Sequence, residues 1–412
     1  MLIQPLKFNT MNQIPYGRQH ISDEDIQAVV ETLKSDFLTQ GPKIAEFENA
    51  FAKYVGSKYA VAVANGTAAL HLCTLALKVE EGDKVITTPI TFAASANCVR
   101  YCGGGVVFAD IHPKTYLLDI EKVRNLLESS PKGTFKGIIS VDFAGRAVNL
   151  EAFRALADEF GLWIIEDSCH APGGYFVDSK GQQQNCGNGN FADLAIFSFH
   201  PVKHIAAGEG GMITTNDEKL YKKLLMLRTH GITRDESLFK NTLNFASGFD
   251  HSLLSIPNST FPAWYMEMQE LGYNYRLTDF QAALGLSQLN RAEEGLERRR
   301  EIAKIYNEAF QNKPFIKGQS GVIDGHAYHL YVLEVEDRAG LYQYLREKNI
   351  FAQIHYIPVH LMPYYRTLGW NEGDMLNAEE YYRNCISLPM YPTLSNEEQE
   401  YVINSILSFY NG

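Results

Sequence analysis

No stretch of this chain approaches the ~18 consecutive apolar residues of a membrane-crossing helix, so no span is expected. Basic clusters are scarce as well, and a formal net charge of −11 argues against a nucleic-acid surface, which needs gathered Lys and Arg. The one tight basic run, RRR at 298–300, sits between Glu297 and Glu301 and reads as a solvated helix face. Six cysteines form no C-x-x-C pair, which points to reduced, mostly buried thiols in a cytoplasmic protein. Cys98 and Cys102 are four apart on an expected helix but lack companion ligands, so no metal is expected there. There is no internal repeat and no low-complexity tract. The opening MLIQPLKFNTMNQIPYG lacks an apolar core followed by a small-residue cleavage site, so it does not read as a secretory signal, and Met11 offers an alternative start.

What remains is a chain of 412 residues, 45% hydrophobic, too long for one small core. Apolar runs at 59–64, 84–88, 105–110, 137–141, 162–167, 194–199 and 211–215 predict seven strands. Amphipathic helices between them, such as 149–161 with Leu150, Phe153, Leu156 and Phe160 on one side, predict a mostly parallel sheet covered on both faces. Ser22 with Asp25 predicts a capped helix over 23–34, and a second helix follows Gly41-Pro42. Thr278 with Gln281 caps a helical pattern running to about Phe310, the arm that joins a large domain (14–277) to a small α+β domain (278–412). In the small domain a strand at 329–335 and helices at 339–348 and 396–409 are expected, whereas 232–262 lacks periodicity and reads as a long functional loop.

The run FSFHPVKHIAAGEGGMITT at 197–215 places Lys203 between two strands, at the mouth of the sheet. Most lysines keep their amine in water, but one held in a dry site is suited to covalent chemistry with a carbonyl. Ligands of open α/β sheets gather beyond the carboxyl ends of the strands, and four stretches place suggestive residues there. In ANGTAAL (64–70), Gly66 and Thr67 open a helix whose free N–H groups suit a phosphate. In IIEDSCHA (164–171), alternation puts Asp167 on one face of its strand and Glu166 on the other. Phe92 lies near a strand end, and Ser198 lies on the strand feeding the lysine loop. One ligand that is anionic at one end, aromatic in the middle and electrophilic at the other fits all four. Pyridoxal phosphate has those properties, with its phosphate at Gly66, Thr67 and Ser198, Phe92 on the ring, Asp167 at the pyridine nitrogen and Lys203 forming the Schiff base. Each residue taken singly has a plainer explanation, as a turn glycine, a core aromatic or a strand-end Asp. Their order along the chain favours the catalytic one for Lys203.

The motifs FSFHPVKHIAAGEGG (197–211), ITTPITFAASAN (86–97), EDSCHA (166–171) and ELGYNYRLTDFQAALGLSQL (270–289) resemble the DegT-type sugar aminotransferases of fold type I. YGRQHISDEDI, SDFLTQGP and WYMEMQELGYNYR are most similar to the branch that aminates carbon 4 in the pseudaminic-acid pathway. The resemblance implies a UDP-sugar substrate, L-glutamate as donor, a pyridoxamine form during turnover, and a homodimer with shared active sites. It further implies that His170 lies near the cofactor's ring hydroxyl and that Asn274 reaches the phosphate from the neighbouring subunit. Tyr16, the stretch Asp36, Phe37, Leu38 and Thr39, and the stretch Gln353, Ile354, His355 and Tyr356 are implied to line the sugar-nucleotide pocket. A dehydratase on the same fold would carry histidine at the lysine position, but here His204 is one residue late. A regulator that had lost catalysis would be expected to have lost Lys203 or Asp167. The histidines 326, 329, 355 and 360 read as structural or substrate-facing and not as metal ligands.

Overall fold

The computed structural model describes residues 13–248 and 260–411. The Met11 start lies outside the described residues, as do 249–259 of the expected loop. All seven expected strands form one sheet. Across it the order is Tyr59–Val63, Gly211–Thr215, Leu194–Ser198, Trp163–Asp167, Gly137–Val141, Lys84–Thr87 and Gly105–Phe108. Only Gly211–Thr215 runs against its neighbours. Every residue of Gly137–Val141 and Gly211–Thr215 is buried, which explains why these strands read as unbroken apolar runs. Helices such as Gly66–Ala76 and Leu150–Phe160 pack on the sheet and close its main core.

The capping boxes form as the sequence dictates: Ser22 with Asp25 starts Asp23–Leu33, and Thr278 with Gln281 starts Asp279–Leu289. The expected arm is two helices and not one, since Asp279–Leu289 ends at Asn290 and a new helix runs Ala292–Phe310. A second core gathers residues of Ala292–Phe310, the three-stranded sheet 316–388 and the helix Asn396–Asn411. Ile14 is buried in that same core, because Ile14–Pro15 pairs in parallel with Ile350–Phe351.

Two expectations are corrected. The run 298–300 is not uniformly solvated: Arg299 is 1% exposed and its Nη1 donates to the carbonyls of Tyr328, His329 and Met390 at 3.1, 3.4 and 2.9 Å. At about 100° per residue, three successive helical side chains cannot share one face, so the middle arginine is carried inward. The strand expected from His329 begins at Tyr331, and both His326 and His329 are buried in the turn before it. The stretch 232–262 has partial order: Ile232–Thr233 pairs with Glu267–Met268, and a short helix spans Leu243–Ala246.

Candidate active site

The carboxyl ends of the parallel strands meet at one edge, and the residues singled out above converge there. Ser198, Gly211 and Val63 lie side by side in register, so the helix that opens at Gly66 starts against the lysine strand. A Cβ on Gly66 would stand 3.1 Å from Ser198 Cβ and 3.4 Å from its Oγ. Glycine is therefore what lets the helix N-terminus approach the serine this closely. Asn65 caps the helix by accepting from Ala68 N at 2.8 Å, while the N–H groups of its first residues have no acceptor within the helix. This is a cradle for an anionic group.

Asp167 ends its strand 6% exposed. Its Oδ2 accepts from Ser95 Oγ at 2.6 Å and its Oδ1 from Cys169 N at 3.2 Å. Thr91 Oγ1 lies 2.8 Å from Ser95 Oγ, so a hydroxyl pair backs the carboxylate. Glu166, one residue earlier, faces the other way, as alternation requires, and accepts from Gly187 N at 2.9 Å. It meets Asp142, whose carboxylate accepts from Val148 N and Ser168 Oγ, both at 2.8 Å. Burial raises both acids above the ordinary carboxylate range; the neighbouring Asp142 charge raises Glu166 further, while hydrogen bonds from Val148 N, Ser168 and Glu166 partly offset the rise at Asp142. Asp142, Glu166 and Cys186 are the one group with metal-ligand spacing among the described residues. Their oxygens are already engaged by protein donors.

Lys203 is half-buried, its backbone N–H held by His200 O at 2.8 Å. Burial lowers its ammonium below the ordinary value; Cys169 and Asp167 oppose the shift, and the Arg299 guanidinium adds to it. His170 is buried, with Nδ1 accepting from Ala144 N at 3.3 Å and Nε2 lying 3.1 Å from Tyr356 Oη. A backbone N–H can only donate, so the His170 proton sits on Nε2 and points at the tyrosine. Burial, then Lys203, keeps this imidazole well below its usual range, so it is neutral.

Of the residues expected in the substrate pocket, Tyr16, His355 and Tyr356 come together. The Tyr16 and His355 rings are 5.1 Å apart, and His355 Nδ1 is 3.0 Å from Ser387 Oγ. Burial pushes His355 down to about 3, with Lys203 adding to the shift. Ile354 packs in both cores, and Gln353 bridges to Ser387. Phe92 stands 64% exposed at the mouth, its ring 6.5 Å from that of Tyr356. Asp36, Phe37, Leu38 and Thr39 are exposed and do not join this group; they are tied to the start of Asp279–Leu289 through Leu38 O and the Thr39–Thr278 bridge. Asn274 is exposed too, and its side chain makes no hydrogen bond among the described residues. Sequence reasoning missed Ser95 and Arg299, and it read His329 only as structural or substrate-facing. His329 lies with its ring 4.3 Å from that of His170. Ser95 sits one helical turn beyond Phe92, the only hint the sequence offers of its part.

An anion cradle, a buried carboxylate and a partly dehydrated lysine on the carboxyl edge of a seven-stranded sheet define a fold-type I aminotransferase with pyridoxal phosphate as its cofactor. The chain belongs to the DegT/DnrJ/EryC1/StrS aminotransferase family, which it matches over residues 19–407. It is 38% identical to the spore coat polysaccharide biosynthesis protein SpsC of Bacillus subtilis over 408 residues, 97% of each chain. It is 32% identical over 401 residues to the UDP-4-amino-4,6-dideoxy-N-acetyl-beta-L-altrosamine transaminase of Campylobacter jejuni, covering 96% of this chain and 97% of that protein. Among solved structures, Helicobacter pylori PseC, an aminotransferase of pseudaminic acid biosynthesis, superposes with a TM-score of 0.82 at 29% identity, over 97% of this chain and all of the other. A sugar aminotransferase structure from Streptococcus pneumoniae in its PLP form gives 0.82 at 28% identity, over 96% and 98% of the two chains.

Proposed function

We propose that the protein transfers the amino group of L-glutamate to the C4 ketone of UDP-2-acetamido-2,6-dideoxy-β-L-arabino-hexos-4-ulose. The product is UDP-4-amino-4,6-dideoxy-N-acetyl-β-L-altrosamine, in a cytoplasmic route to pseudaminic acid. The single observation that carries an aminotransferase reading is Asp167, fixed by Ser95 and Cys169 at the strand edge it shares with Lys203 and the Gly66 cradle.

The bound cofactor supplies an electron sink for the carbanion that forms when an α-proton leaves the donor. Asp167 would hold the proton on the pyridine nitrogen. Lys203 would anchor the cofactor, and its freed Nζ would take the proton from the donor's α-carbon in one half-reaction and supply one to the acceptor's carbonyl carbon in the other. Its lowered ammonium pKa leaves more of the free amine for that work near neutral pH. Gly66, Thr67 and Ser198 would receive the phosphate, Phe92 would cover the ring, and His170 would serve the ring hydroxyl. Tyr16, Gln353, Ile354, His355 and Tyr356 form a wall for the sugar nucleotide. Because that wall is built of neutral groups and the chain carries a net charge of −11, directed hydrogen bonds and not a broad field must orient the diphosphate.

The protein acts in this reading as a homodimer. Asn274, together with Asp36, Phe37, Leu38 and Thr39, completes the partner's site. Their exposure supports this assignment, as does the Asn274 side chain, which makes no hydrogen bond among the described residues. The choice of carbon 4 rests on the Campylobacter and Helicobacter relatives. The reaction is tested by supplying 4-keto and 3-keto UDP-sugars with glutamate and locating the new amine by NMR. Amination at C4 alone is expected. Amination only at C3, or only of a ketone that is not a sugar, overturns the assignment.

A further inference from the structure

The buried acids Asp142 and Glu166 take no part in the reaction described above, yet they surround the carboxylate on which it depends. Asp142 follows the strand Gly137–Val141, which pairs with Trp163–Asp167 so that Ser140 faces Glu166 and Val141 faces Asp167. The Asp142 backbone N–H donates to Asp167 O at 3.1 Å. Its side chain meets the residues on both sides of Asp167. Ser168 Oγ donates to Asp142 Oδ2 at 2.8 Å, and an oxygen of Glu166 lies within 4.8 Å of one of Asp142. Glu166 is itself pinned, accepting from Gly187 N at 2.9 Å. All three side chains are buried, so water does not compete for these bonds.

Asp142 also builds the turn that follows it. Its Oδ1 accepts from Val148 N at 2.8 Å and its carbonyl from Gly145 N at 3.0 Å, which closes the turn Phe143–Gly145. Ala144 stands there at a φ of 60°, in the left-handed region that a Cβ disfavours, so the turn keeps its shape only because its surroundings hold it. From this turn Ala144 N donates to His170 Nδ1 at 3.3 Å, the bond that sets the tautomer of that ring. The carbonyls of Ala144 and Gly145 accept from Leu330 N at 3.1 Å and Ala327 N at 2.8 Å. One side chain therefore anchors both the strand end that carries Asp167 and the turn that orients His170.

Two carboxyl groups this close, away from water and with no cation acting on either, cannot both be ionised; a proton between them turns repulsion into a bond. An apolar pair would fill the same space at less cost if packing were the only need. We propose that Asp142 is a positioning residue for the cofactor: through Ser168 and Glu166 it fixes Asp167, and through the turn Phe143–Gly145 it fixes His170. The inference rests on the aminotransferase reading and adds to it what aims these two groups.

The test is fluorescence titration of the stripped full-length protein with pyridoxal phosphate, with visible circular dichroism reporting how the bound cofactor is held. Asp142→Asn keeps the shape but puts an NH2 group where two donors need acceptors, so it should weaken the cofactor about tenfold and reduce the dichroism per bound molecule. Ser168→Ala, which removes a single hydroxyl, should act in the same direction, and it decides the matter should Asp142→Asn fail to fold. Glu166→Gln still offers a donor to Asp142 and an acceptor to Gly187 N, so it should stay within about twofold of wild type. Wild-type affinity and dichroism in Asp142→Asn, or in Ser168→Ala where that variant stands in for it, overturn the proposal however far the melting temperature moves. So does a loss in Glu166→Gln as large as that in Asp142→Asn, since the bonds would then be kept and the site still lost. Binding is read here without turnover, so a failure of amine transfer in the NMR assay would strike the functional reading and not this role.

Discussion

Ser95 Oγ stands 2.6 Å from Asp167 Oδ2, joining the helix Ala94–Tyr101 to the end of the strand Trp163–Asp167. The hydroxyl has one proton, and it is given to the carboxylate, so Thr91 must be the donor in its own 2.8 Å contact with Ser95. The carboxylate is thereby aimed before any cofactor arrives. Ser95→Ala should weaken cofactor binding about tenfold, the worth of one charge-assisted hydrogen bond. Fluorescence titration of stripped protein with pyridoxal phosphate measures it, and an unchanged affinity would remove Ser95 from the site. Asp167→Asn should keep the cofactor and lose most turnover.

Lys203→Ala should fold normally, because no core packing is lost, and should show neither turnover nor the visible absorbance of a covalently held cofactor. Thermal melts, a spectrum and an activity assay together check this. Wild-type turnover in that variant would end the assignment.

A methyl group on Gly66 separates two measurements. In a helix's first turn it favours the helix by up to ~1 kcal/mol, a gain that its tight approach to the Ser198 Cβ offsets, so the cofactor-free Gly66→Ala protein should stay close to wild type in stability. The same methyl presses on Ser198 at 3.1 Å and narrows the anion cradle. The gain in melting temperature on adding pyridoxal phosphate should therefore shrink, and an undiminished gain would place the phosphate elsewhere.

The helices and strands that carry these groups were legible because burial on both sheet faces leaves unbroken apolar runs, as at 137–141 and 211–215. Alternation along one strand separated Asp167 from Glu166. Ser95 was not legible, since a serine in a helix looks the same whether it faces water or a carboxylate. Arg299 was misread for a related reason: charge alone, in RRR between two glutamates, says nothing about which member of the run turns inward. The split between Leu289 and Ala292 carried no proline or glycine to announce it.

Glu166 and Asp142 bear on stability against pH. Burial raises both in the folded state above their unfolded values, so the native protein keeps a proton that the unfolded chain gives up. Their contribution is complete below the unfolded carboxylate range of about 4 and falls as pH rises through the folded values. Glu166→Gln replaces the protonated acid with a neutral group of the same shape. Urea melts should show the variant gaining on wild type as pH rises from about 5.5 to about 8. Parallel curves for the two proteins would show that no proton is held there.

If Asn274 reaches across to a partner's phosphate, two inactive proteins should rescue one another. Lys203→Ala and Asn274→Ala, unfolded together and refolded, should recover about a quarter of wild-type activity, since half the dimers are mixed and each carries one intact site. No recovery despite mixed dimers on native mass spectrometry would confine each site to one chain.

The pairing of Ile14 with Ile350 also orders events during synthesis. Tyr16 takes its place against His355, and its carbonyl accepts from Met390 N, only through partners made much later in synthesis. The segment around Tyr16 thus waits while the intervening chain is made, and closing so distant a contact is slow. A chain interrupted before His355 therefore leaves Tyr16 without the ring it packs against and the main core without Val359, Tyr365 and Tyr381.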